Sequence, residues 1–360
     1  MNRLVTMAVT AAILTFGLAA YAEAAKHSKK RVAAVRSDDE ADTYQYGERE
    51  DVLRLADDIA QRQGIDPEWV RTTLAQARFQ PSVARFIMPP PAGSAKNWAA
   101  YRARFVEPTR VNAGAAFWRA NERWLQQAQD LYGVPPEIIV GIVGVETIFG
   151  RQMGGYRVLD ALATLSLDFP SGRKDRSPFF RGELEQFLVL ARSEGIDPLT
   201  LKGSYAGAMG MPQFMPSSWN RYAVDFDGDG RADLHNSTAD VIGSVAHFLA
   251  EHGWQRGMPT HFPVAAPVDV SERAALLAPD ILPSFVAQEF LDHGASLGAE
   301  GRQHAGKLAL VELQNGDAAP TYVAGTENFY AITRYNWSSY YALAVIELGR
   351  AVAAVIDSGR

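Results

Sequence analysis

Residues 134–150 read VPPEIIVGIVGVETIFG, and this apolar stretch is the centre of the predicted fold. A helix is predicted to begin at residues 135–136, because proline is tolerated in a first turn and the acid Glu137 is favourable at the positive end of the helix dipole. Isoleucine and valine then occupy nearly every face as far as Gly150, which predicts a helix buried on all sides. Glu146 is the only acid in its middle or late part.

Two effects are expected to raise the pKa of Glu146. Apolar surroundings disfavour the carboxylate, and so does the negative C-terminal end of a helix. A carboxylic acid that stays protonated near neutral pH is suited to general acid catalysis. The alternative is a structural glutamate that is satisfied by an arginine or a backbone donor, because structural pairs also shift pKa values.

A second motif has the spacing of a calcium-binding loop. Residues 225–233 read DFDGDGRAD, with acids at loop positions 1, 3, 5 and 9, namely Asp225, Asp227, Asp229 and Asp233. Gly230 lies at position 6, where such a loop turns most sharply, and Arg231 at position 7 would supply its backbone carbonyl. Position 12 is Asn236 instead of glutamate, and Asp240 at position 16 is a candidate to close an enlarged loop. The pattern predicts a structural Ca²⁺ site, with a metal-free Asx-rich turn as the alternative.

Two further segments are suited to binding a sugar polymer. Residues 204–218 read SYAGAMGMPQFMPSS, in which glycines let the backbone approach a ligand and Gln213 offers both a donor and an acceptor. Residues 329–341 read FYAITRYNWSSYY, with six aromatic residues in thirteen. Aromatic faces stack on sugar rings, while an amide such as Asn336 bonds their hydroxyls. A loop with core methionines and ordinary core aromatics are the alternative interpretations.

Composition excludes several classes of protein. The chain has 360 residues, a net charge of −6 and no cysteine. This length predicts about two domains, and the acidic balance argues against a nucleic-acid-binding protein. Without cysteine there are no disulfides, thiolate zinc sites, iron–sulfur clusters or cysteine nucleophiles. Nucleotide- and dinucleotide-binding fingerprints are also absent from the sequence, so no organic cofactor is expected.

The chain divides into six predicted segments. Residues 1–24 have a positive start, an apolar run and small-x-small sites, which is typical of a cleaved secretory signal peptide, with a transmembrane anchor as the alternative. Residues 25–46 have the composition of a flexible linker. The other segments are a helical portion over 47–132, a helical core over 133–258, a small β-rich portion over 259–326, and an aromatic segment with a final helix over 327–360. We expect an exported, soluble protein without a lipid anchor, because no cysteine is present to be acylated.

Four motifs together resemble one known family. Residues 134–150, 205–219, 225–234 and 328–349 have the order and spacing of the lytic murein transglycosylase B family, glycoside hydrolase family 103. The resemblance implies an α+β, mainly α fold, in which a lysozyme-like helical core carries an EF-hand-like calcium loop beside an N-terminal helical portion and a small β-rich portion. It also implies an enzyme that cleaves the β-1,4 bond between N-acetylmuramic acid and N-acetylglucosamine and leaves 1,6-anhydromuramyl ends.

The same resemblance implies roles for individual residues. Glu146 matches the catalytic acid and base. The residues that match the glycan groove are Tyr101, Ser204, Gln213, Tyr335, Asn336 and Tyr341, with Met209 and Phe214 in the wall of the same motif. The residues that match the calcium site are Asp225, Asp227, Asp229, Arg231 through its carbonyl, and Asp240. The implied partner is the glycan strand of peptidoglycan in the periplasm, the implied cofactor is structural Ca²⁺, and a monomer that binds no nucleic acid is expected.

Two alternatives to a transglycosylase stay open. A hydrolytic muramidase on the same fold requires a second carboxylate or a positioned water, and Asp160, Asp168 and Glu183 are the available acids. A non-catalytic peptidoglycan-binding scaffold would use the aromatic residues alone, but a buried glutamate is then costly and without a role. One acid suffices if the N-acetyl group of muramic acid stabilises the charge at C1 and the C6 hydroxyl attacks that carbon. The candidates for holding the sugar in this pose are Ser204, Gln213 and Asn336.

Overall fold

The computed structural model describes residues 43–89 and 96–358. The predicted signal peptide over 1–24, and residues 25–42 of the predicted linker, lie outside the described residues. The last linker residues need a correction, because the chain is already folded from residue 43. Tyr44 stacks on Phe79 with ring centroids 5.1 Å apart, and the amide of buried Tyr46 donates to the carbonyl of Ala77 over 2.9 Å. The ring contact and the backbone hydrogen bond hold in place a segment whose polar composition alone indicates a linker.

The described chain is mainly helical, with two small antiparallel sheets. Its helices are α1 (Glu50–Gln63), α2 (Pro67–Ala75), α3 (Pro81–Phe86), α4 (Trp98–Phe105), α5 (Pro108–Ala120), α6 (Glu122–Tyr132), α7 (Pro136–Thr147), α8 (Val158–Leu167), α9 (Ser177–Ser193), α10 (Pro216–Tyr222), α11 (Thr238–Glu251), α12 (Val270–Leu277), α13 (Ala287–Asp292), α14 (Ala299–Gln303), α15 (Glu327–Asn336) and α16 (Ser339–Ser358). Its strands are β1 (Tyr156–Arg157), β2 (Lys202–Gly203), β3 (His261–Ala265), β4 (Ser296–Leu297), β5 (Ala309–Asn315) and β6 (Ala318–Gly325).

Several helix ends follow from the local sequence. Gly64 ends α1 with a φ of 65°, a left-handed conformation that glycine adopts without a steric penalty. Pro67 is the first residue of α2, and the side chain of Asp66 accepts a hydrogen bond from the amide of Glu68. The central helix α7 begins at Pro136, as the sequence predicts.

The described residues divide into two compact units. The first unit contains residues 96–149 and 242–358, and the second contains residues 43–89 and 150–241. The contiguous segments predicted over 47–132 and 133–258 therefore each contribute to both units. Composition along the chain does not reveal this division, because the chain leaves the second unit after α3 and returns to it at Gly150.

In the first unit, α7 packs closely along the final helix α16. Two glycines allow the approach: a Cβ on Gly141 would lie 2.2 Å from the carbonyl oxygen of Val345, and one on Gly349 would lie 2.0 Å from that of Glu137. By length and composition α16 is apolar enough to cross a membrane, but 56% of its most apolar window is buried inside the protein. This burial is typical of a core helix.

The first unit also contains the larger sheet. Its strand order is β4-β3-β6-β5, all pairs being antiparallel, with Val311 opposite Val323. The sheet lies within residues 259–326, where the sequence predicts a β-rich portion. Its buried core residues include Phe262, Leu276, Phe290, Leu297, Leu308 and Leu310.

The second unit is built on α8 and α9, which pack on each other, with α10 against α9 and α1 against α2. The short sheet of β1 and β2 pairs Tyr156 with Gly203. Phe180 and Phe187 of α9 are completely buried, as is Leu159 of α8. The same unit contains the two segments that were predicted to bind ligands, residues 204–218 and the acidic loop 225–233 with Asp240.

Candidate active site

Glu146 lies in the last turn of α7 and is almost completely buried, with 2% of its surface exposed. The hydroxyl of Tyr341, on α16, donates a 2.6 Å hydrogen bond to Oε1 of Glu146. The second carboxyl oxygen, Oε2, is buried and has no hydrogen-bond partner among the described residues. One oxygen is therefore held in place, while the hydrogen-bonding capacity of the other is unused within the described residues.

Burial raises the pKa of the Glu146 carboxyl from its ordinary value of 4.5 to about 8, and the hydrogen bond from Tyr341 lowers it by a smaller amount. The increase in pKa predicted from the apolar helix is thus confirmed. Among the described residues no second carboxylate contributes to this shift. The carboxyl is accordingly protonated at neutral pH, as a general acid must be.

Three tyrosines that the sequence analysis names as site residues interact with the carboxyl or its charge. The ring of Tyr335 stacks on that of Tyr341 with centroids 6.2 Å apart and planes 16° apart. The negative charge of an ionised Glu146 contributes to a raised pKa of Tyr335 and of Tyr101, after the larger effect of burial. The structure therefore brings Tyr101, Tyr335 and Tyr341 together with Glu146.

Asn336 follows Tyr335 at the end of α15 and is also buried, with 2% of its surface exposed. Its Oδ1 atom has no hydrogen-bond partner within the ranges 43–89 and 96–358. A buried amide oxygen without a partner costs free energy unless a ligand donates to it. Asn336 thus has the property expected of a ligand-binding residue.

The helix that carries Glu146 ends at Thr147, not at Gly150 as predicted from the sequence. Ile148 and Phe149 have φ angles of 51° and 57°, which are unfavourable for residues with a Cβ. The ring of Phe149 fills space that a missing side chain leaves open, since a Cβ on Gly144 would lie 2.7 Å from its Cζ atom. Tertiary packing therefore imposes a turn that the apolar sequence does not indicate.

The sequence analysis did not identify Gly144 and Phe149 as residues that support the site. The glycine two positions before Glu146 was the available signal.

The other predicted glycan-binding residues lie in the second unit, on one tight loop. The backbones of Met209 and Phe214 exchange hydrogen bonds of 2.8 and 3.0 Å, and the side chains of both are buried. The hydroxyl of Ser204 accepts from the amide of Ala208 over 3.0 Å. These hydrogen bonds within the loop hold its backbone in one conformation.

Gln213, on the same loop, has a φ of 50°, a strained conformation of the kind that clusters at functional sites. Its Nε2 atom donates to the carbonyls of Gly210 and Met153 over 2.9 and 3.2 Å. The side-chain amide is therefore fixed in orientation.

The three acids that were candidates for a second catalytic carboxylate all lie in the second unit and bind protein groups there. Asp160 accepts from Arg157 over 2.5 Å, and Asp168 pairs with Arg49 over 3.0 Å. Glu183 accepts from the amide and hydroxyl of Ser217 over 2.9 and 2.7 Å. Each has a structural role in these contacts.

The acidic loop brings three of its predicted ligands together. One carboxylate oxygen from each of Asp225, Asp227 and Asp229 lies within 4.8 Å of the others, and all three side chains are exposed. Gly228 and Gly230 have φ angles of 77° and 104°, which produce the tight turn of the loop. Three converging carboxylates fit a hard divalent cation.

Asp240 has a different environment from those three acids. It is completely buried; its Oδ1 accepts from the amide of Phe226 over 2.7 Å and its Oδ2 from that of Asp233 over 2.8 Å. Its carboxylate therefore holds the two halves of the loop together. The amide of Arg231 donates to Asp229 over 3.0 Å, which places this residue on the same turn.

Comparisons with known proteins agree over most of the chain. The family described as "Transglycosylase SLT domain" matches residues 47–350. The chain is 43% identical over 310 residues to "Membrane-bound lytic murein transglycosylase B" of Escherichia coli (strain K12), which covers 83% of this chain and 82% of the relative.

Solved structures give the same result. The soluble lytic transglycosylase SltB1 from Pseudomonas aeruginosa superposes with a TM-score of 0.77 and 38% identity over 85% of this chain and 99% of that chain. The Escherichia coli lytic transglycosylase Slt35 in complex with calcium has a TM-score of 0.73 and 40% identity over 86% and 96% of the two chains. Pseudomonas aeruginosa SltB3 in complex with NAG-anhNAM-pentapeptide has a TM-score of 0.70 and 29% identity over 85% and 80%. These similarities confirm the predicted lysozyme-like, mainly α fold.

Proposed function

This chain belongs to the transglycosylase SLT family, whose lytic enzymes cleave peptidoglycan, and we propose that Glu146 is the acid and the base of that reaction. One observation supports this role above others: Glu146 is a buried carboxyl with a pKa of about 8, bonded to Tyr341 at one oxygen and without a partner at the other. A group in this state is ready to donate a proton to a ligand at neutral pH.

In the first step Glu146 donates its proton to the glycosidic oxygen between N-acetylmuramic acid and N-acetylglucosamine. The bond from C1 to that oxygen breaks, and the departing sugar leaves with a hydroxyl group. The carboxylate that remains is held by the Tyr341 hydrogen bond, which lowers its pKa and so favours the ionised form. Positive charge at C1 is stabilised by the N-acetyl group of the muramic acid itself.

In the second step the ionised Glu146 accepts the proton of the C6 hydroxyl on the same muramic acid. The hydroxyl oxygen attacks C1 and closes a 1,6-anhydro ring, and Glu146 returns to its protonated state. No water is consumed, and the attack gains the advantage of an intramolecular reaction.

The choice between this route and hydrolysis depends on the second carboxylate that a hydrolase uses. Asp160, Asp168 and Glu183 are each bonded to protein groups of the second unit, and no other carboxylate in the described part of the chain contributes to the pKa shift of Glu146. The relative SltB3 was solved with a NAG-anhNAM-pentapeptide, a ligand that contains an anhydro sugar. Since SltB3 was also solved with a NAG-NAM-pentapeptide, the engaged carboxylates are the observation that supports the anhydro product.

The glycan-binding residues are proposed by the same reasoning. In the first unit these are Tyr101, Tyr335 and Tyr341, whose rings line the surroundings of Glu146, and Asn336, whose Oδ1 is available to a donor. In the second unit they are Ser204 and the fixed amide of Gln213, on a loop shaped by Met209 and Phe214. Substitution of the residues in either set is expected to weaken binding of glycan strands, and the affinity of each variant measures this.

Ca²⁺ is proposed as the ion of the acidic loop. Asp225, Asp227 and Asp229 supply converging carboxylate oxygens. Arg231 supplies its backbone carbonyl. Asp240 is the fifth proposed residue, either as a ligand or through its hydrogen bonds to the loop backbone. The relative Slt35 was solved with calcium, which supports this choice of ion. The proposed role is to stabilise the loop, with no part in proton transfer.

Export to the periplasm, as a monomer, is proposed for the mature protein. The Escherichia coli relative is named as membrane-bound, whereas this sequence contains no cysteine that a lipid could modify. Fractionation of cells that express the full chain tests this localisation, and light scattering tests the monomer. Release by osmotic shock is expected; sedimentation with membranes and release only by detergent would contradict the proposal.

The catalytic proposal is tested by Glu146→Gln, with Glu137→Gln in the first turn of the same helix as the matched control. The amide is nearly isosteric and neutral, so folding and glycan affinity are expected to persist while cleavage of purified murein is lost. The control is expected to cleave normally. A folded Glu146→Gln variant with a rate near that of the wild type would remove Glu146 from the mechanism.

A further inference from the structure

The first unit contains a cavity of about 240 Å³ that the proposed proton transfers do not use. Its polar lining consists of Lys96, Asp280, Glu312, Gln314, Ser339 and Tyr340, and apolar side chains of α12 and β5 complete it. Pockets for drug-sized ligands have volumes of about 300–1,000 Å³. This cavity therefore fits a group about as large as one amino acid.

A hydrogen bond fixes one charged side chain of the cavity, and a backbone hydrogen bond holds the segment that carries another. The hydroxyl of Tyr322 donates to Oε2 of Glu312 over 2.6 Å, which orients that carboxylate. The carbonyl of Lys96 accepts from the amide of Gly316, in the turn between β5 and β6, over 3.0 Å. The Nζ atom of Lys96 lies 5.9 Å from the centre of the Tyr340 ring, close enough for a cation–π contact.

The charges in the cavity are mixed: Lys96 supplies one ammonium, and Asp280 and Glu312 supply two carboxylates. A ligand that carries an amine and a carboxylate on one carbon satisfies both kinds of group. We propose that this cavity binds the zwitterionic end of a diamino acid in a peptide stem attached to the glycan. The ligand carboxylate is bound by Lys96, and its ammonium group by Asp280 and Glu312.

The cavity is connected to the catalytic residues through Tyr340. Its ring packs edge-on against that of Tyr101, with centroids 5.8 Å apart, and its neighbour Tyr341 bonds Glu146. A peptide attached to a muramic acid at Glu146 therefore has its binding cavity in the same unit. The inference rests on the proposed function, because the peptide stem reaches the enzyme as part of the glycan.

Binding of small probes tests the cavity without any cleavage. Diaminopimelic acid carries an amine and a carboxylate at each end, pimelic acid has only the carboxylates, and cadaverine has only the amines. We expect calorimetry to detect binding of diaminopimelic acid to the full chain. The other two probes are expected to bind at least about tenfold more weakly. Equal affinity for all three would overturn the proposal.

Variants assign the binding to the cavity. Lys96→Met and Glu312→Gln each remove one charge at nearly constant shape, and each is expected to weaken binding of diaminopimelic acid about five- to tenfold. The control Lys307→Met removes an exposed lysine of the same unit, and neither it nor Glu146→Gln is expected to change the affinity. Thermal unfolding checks that each variant is folded. Binding that is insensitive to both cavity variants would contradict the assignment.

Kinetics distinguish a peptide stem from a free amino acid as the source of the ligand. With stem-bearing murein, the two cavity variants are expected to raise KM about fivefold at unchanged kcat, whereas both constants stay the same with glycan strands stripped of peptide. An unchanged KM for stem-bearing murein would contradict the stem proposal while leaving the role of Glu146 intact. The role of Glu146 is tested separately, because a Glu146→Gln variant that still cleaves murein would contradict it.

Discussion

The hydroxyl of Tyr341 donates a 2.6 Å hydrogen bond to Oε1 of Glu146, although the two residues are 195 positions apart in the sequence. Both side chains are buried, so the bond is formed away from solvent. It fixes the rotation of the carboxyl group and leaves Oε2 as the oxygen without a hydrogen-bond partner among the described residues. It also lowers a pKa that burial alone would raise further.

Tyr341→Phe is expected to change the pH dependence of cleavage as well as its rate. Without the hydrogen bond the pKa of Glu146 rises, so the alkaline limb of kcat/KM, expected near pH 8 for the wild type, moves to higher pH. The rate is expected to fall about 10–100-fold, because the carboxyl is no longer oriented and the carboxylate is less stable. A pH–rate profile of both proteins measures this, with Tyr330→Phe as a control on α15. An alkaline limb that stays in place would show that the bond does not act on Glu146.

Burial of Glu146 also predicts how stability depends on pH. In the unfolded chain the carboxyl ionises near 4.5, whereas in the folded protein its pKa is about 8. The folded state therefore binds more protons between these values, so the contribution of Glu146 to stability is complete below pH 4.5 and is lost as the pH rises through 8.

Glu146→Gln removes this dependence, and the variant is expected to become progressively more stable than the wild type between pH 4.5 and 8. The difference is on the order of a few kcal/mol, since one pKa unit corresponds to about 1.4 kcal/mol. Urea unfolding of both proteins at the two pH values measures it. If the difference in stability between the two proteins stays constant across this range, the pKa of Glu146 is not raised in the folded protein.

Calcium is expected to stabilise the protein without taking part in the chemistry. Chelation should lower the melting temperature, and added Ca²⁺ should restore it, because a ligand at 100 times its Kd adds about 2.7 kcal/mol to the folded state. Asp225→Asn or Asp229→Asn should abolish the response, while Asp130→Asn, an exposed aspartate of α6, should preserve it. A melting curve that ignores both chelator and millimolar Ca²⁺ would show that the loop is only a turn.

The sequence predicts the start and burial of the helix that carries Glu146 well, and its end poorly. Its start at Pro136 and its burial follow from local chemistry, because proline suits a first turn and Ile and Val cover every face. Its end at Thr147 depends on the packing of Phe149 beside Gly144, which is a tertiary contact. No local signal indicates that β-branched Ile148 adopts a positive φ.

The candidate site, too, is predicted from local sequence only in part, because its contacts join distant residues. Glu146 is identifiable as a buried acid from its own helix, but its bond to Tyr341 joins distant parts of the chain, and only the family resemblance placed both residues in one site. The pairing of Asp168 with Arg49 was equally hidden, because the two residues are 119 positions apart. Spacing identified the acids of the loop, whereas the hydrogen bonds of Asp240 to the amides of Phe226 and Asp233 depend on how the loop folds.

Analysis of the muramyl ends tests the central claim most directly. Purified murein is digested with the enzyme, and the products are measured by mass spectrometry before and after reduction with borohydride. A single acid acting through the C6 hydroxyl predicts muramyl ends that resist reduction and are lighter by one water than hydrolysis products. Reducible muramic acid ends as the main product would contradict this account and assign the chain a lysozyme-type hydrolysis.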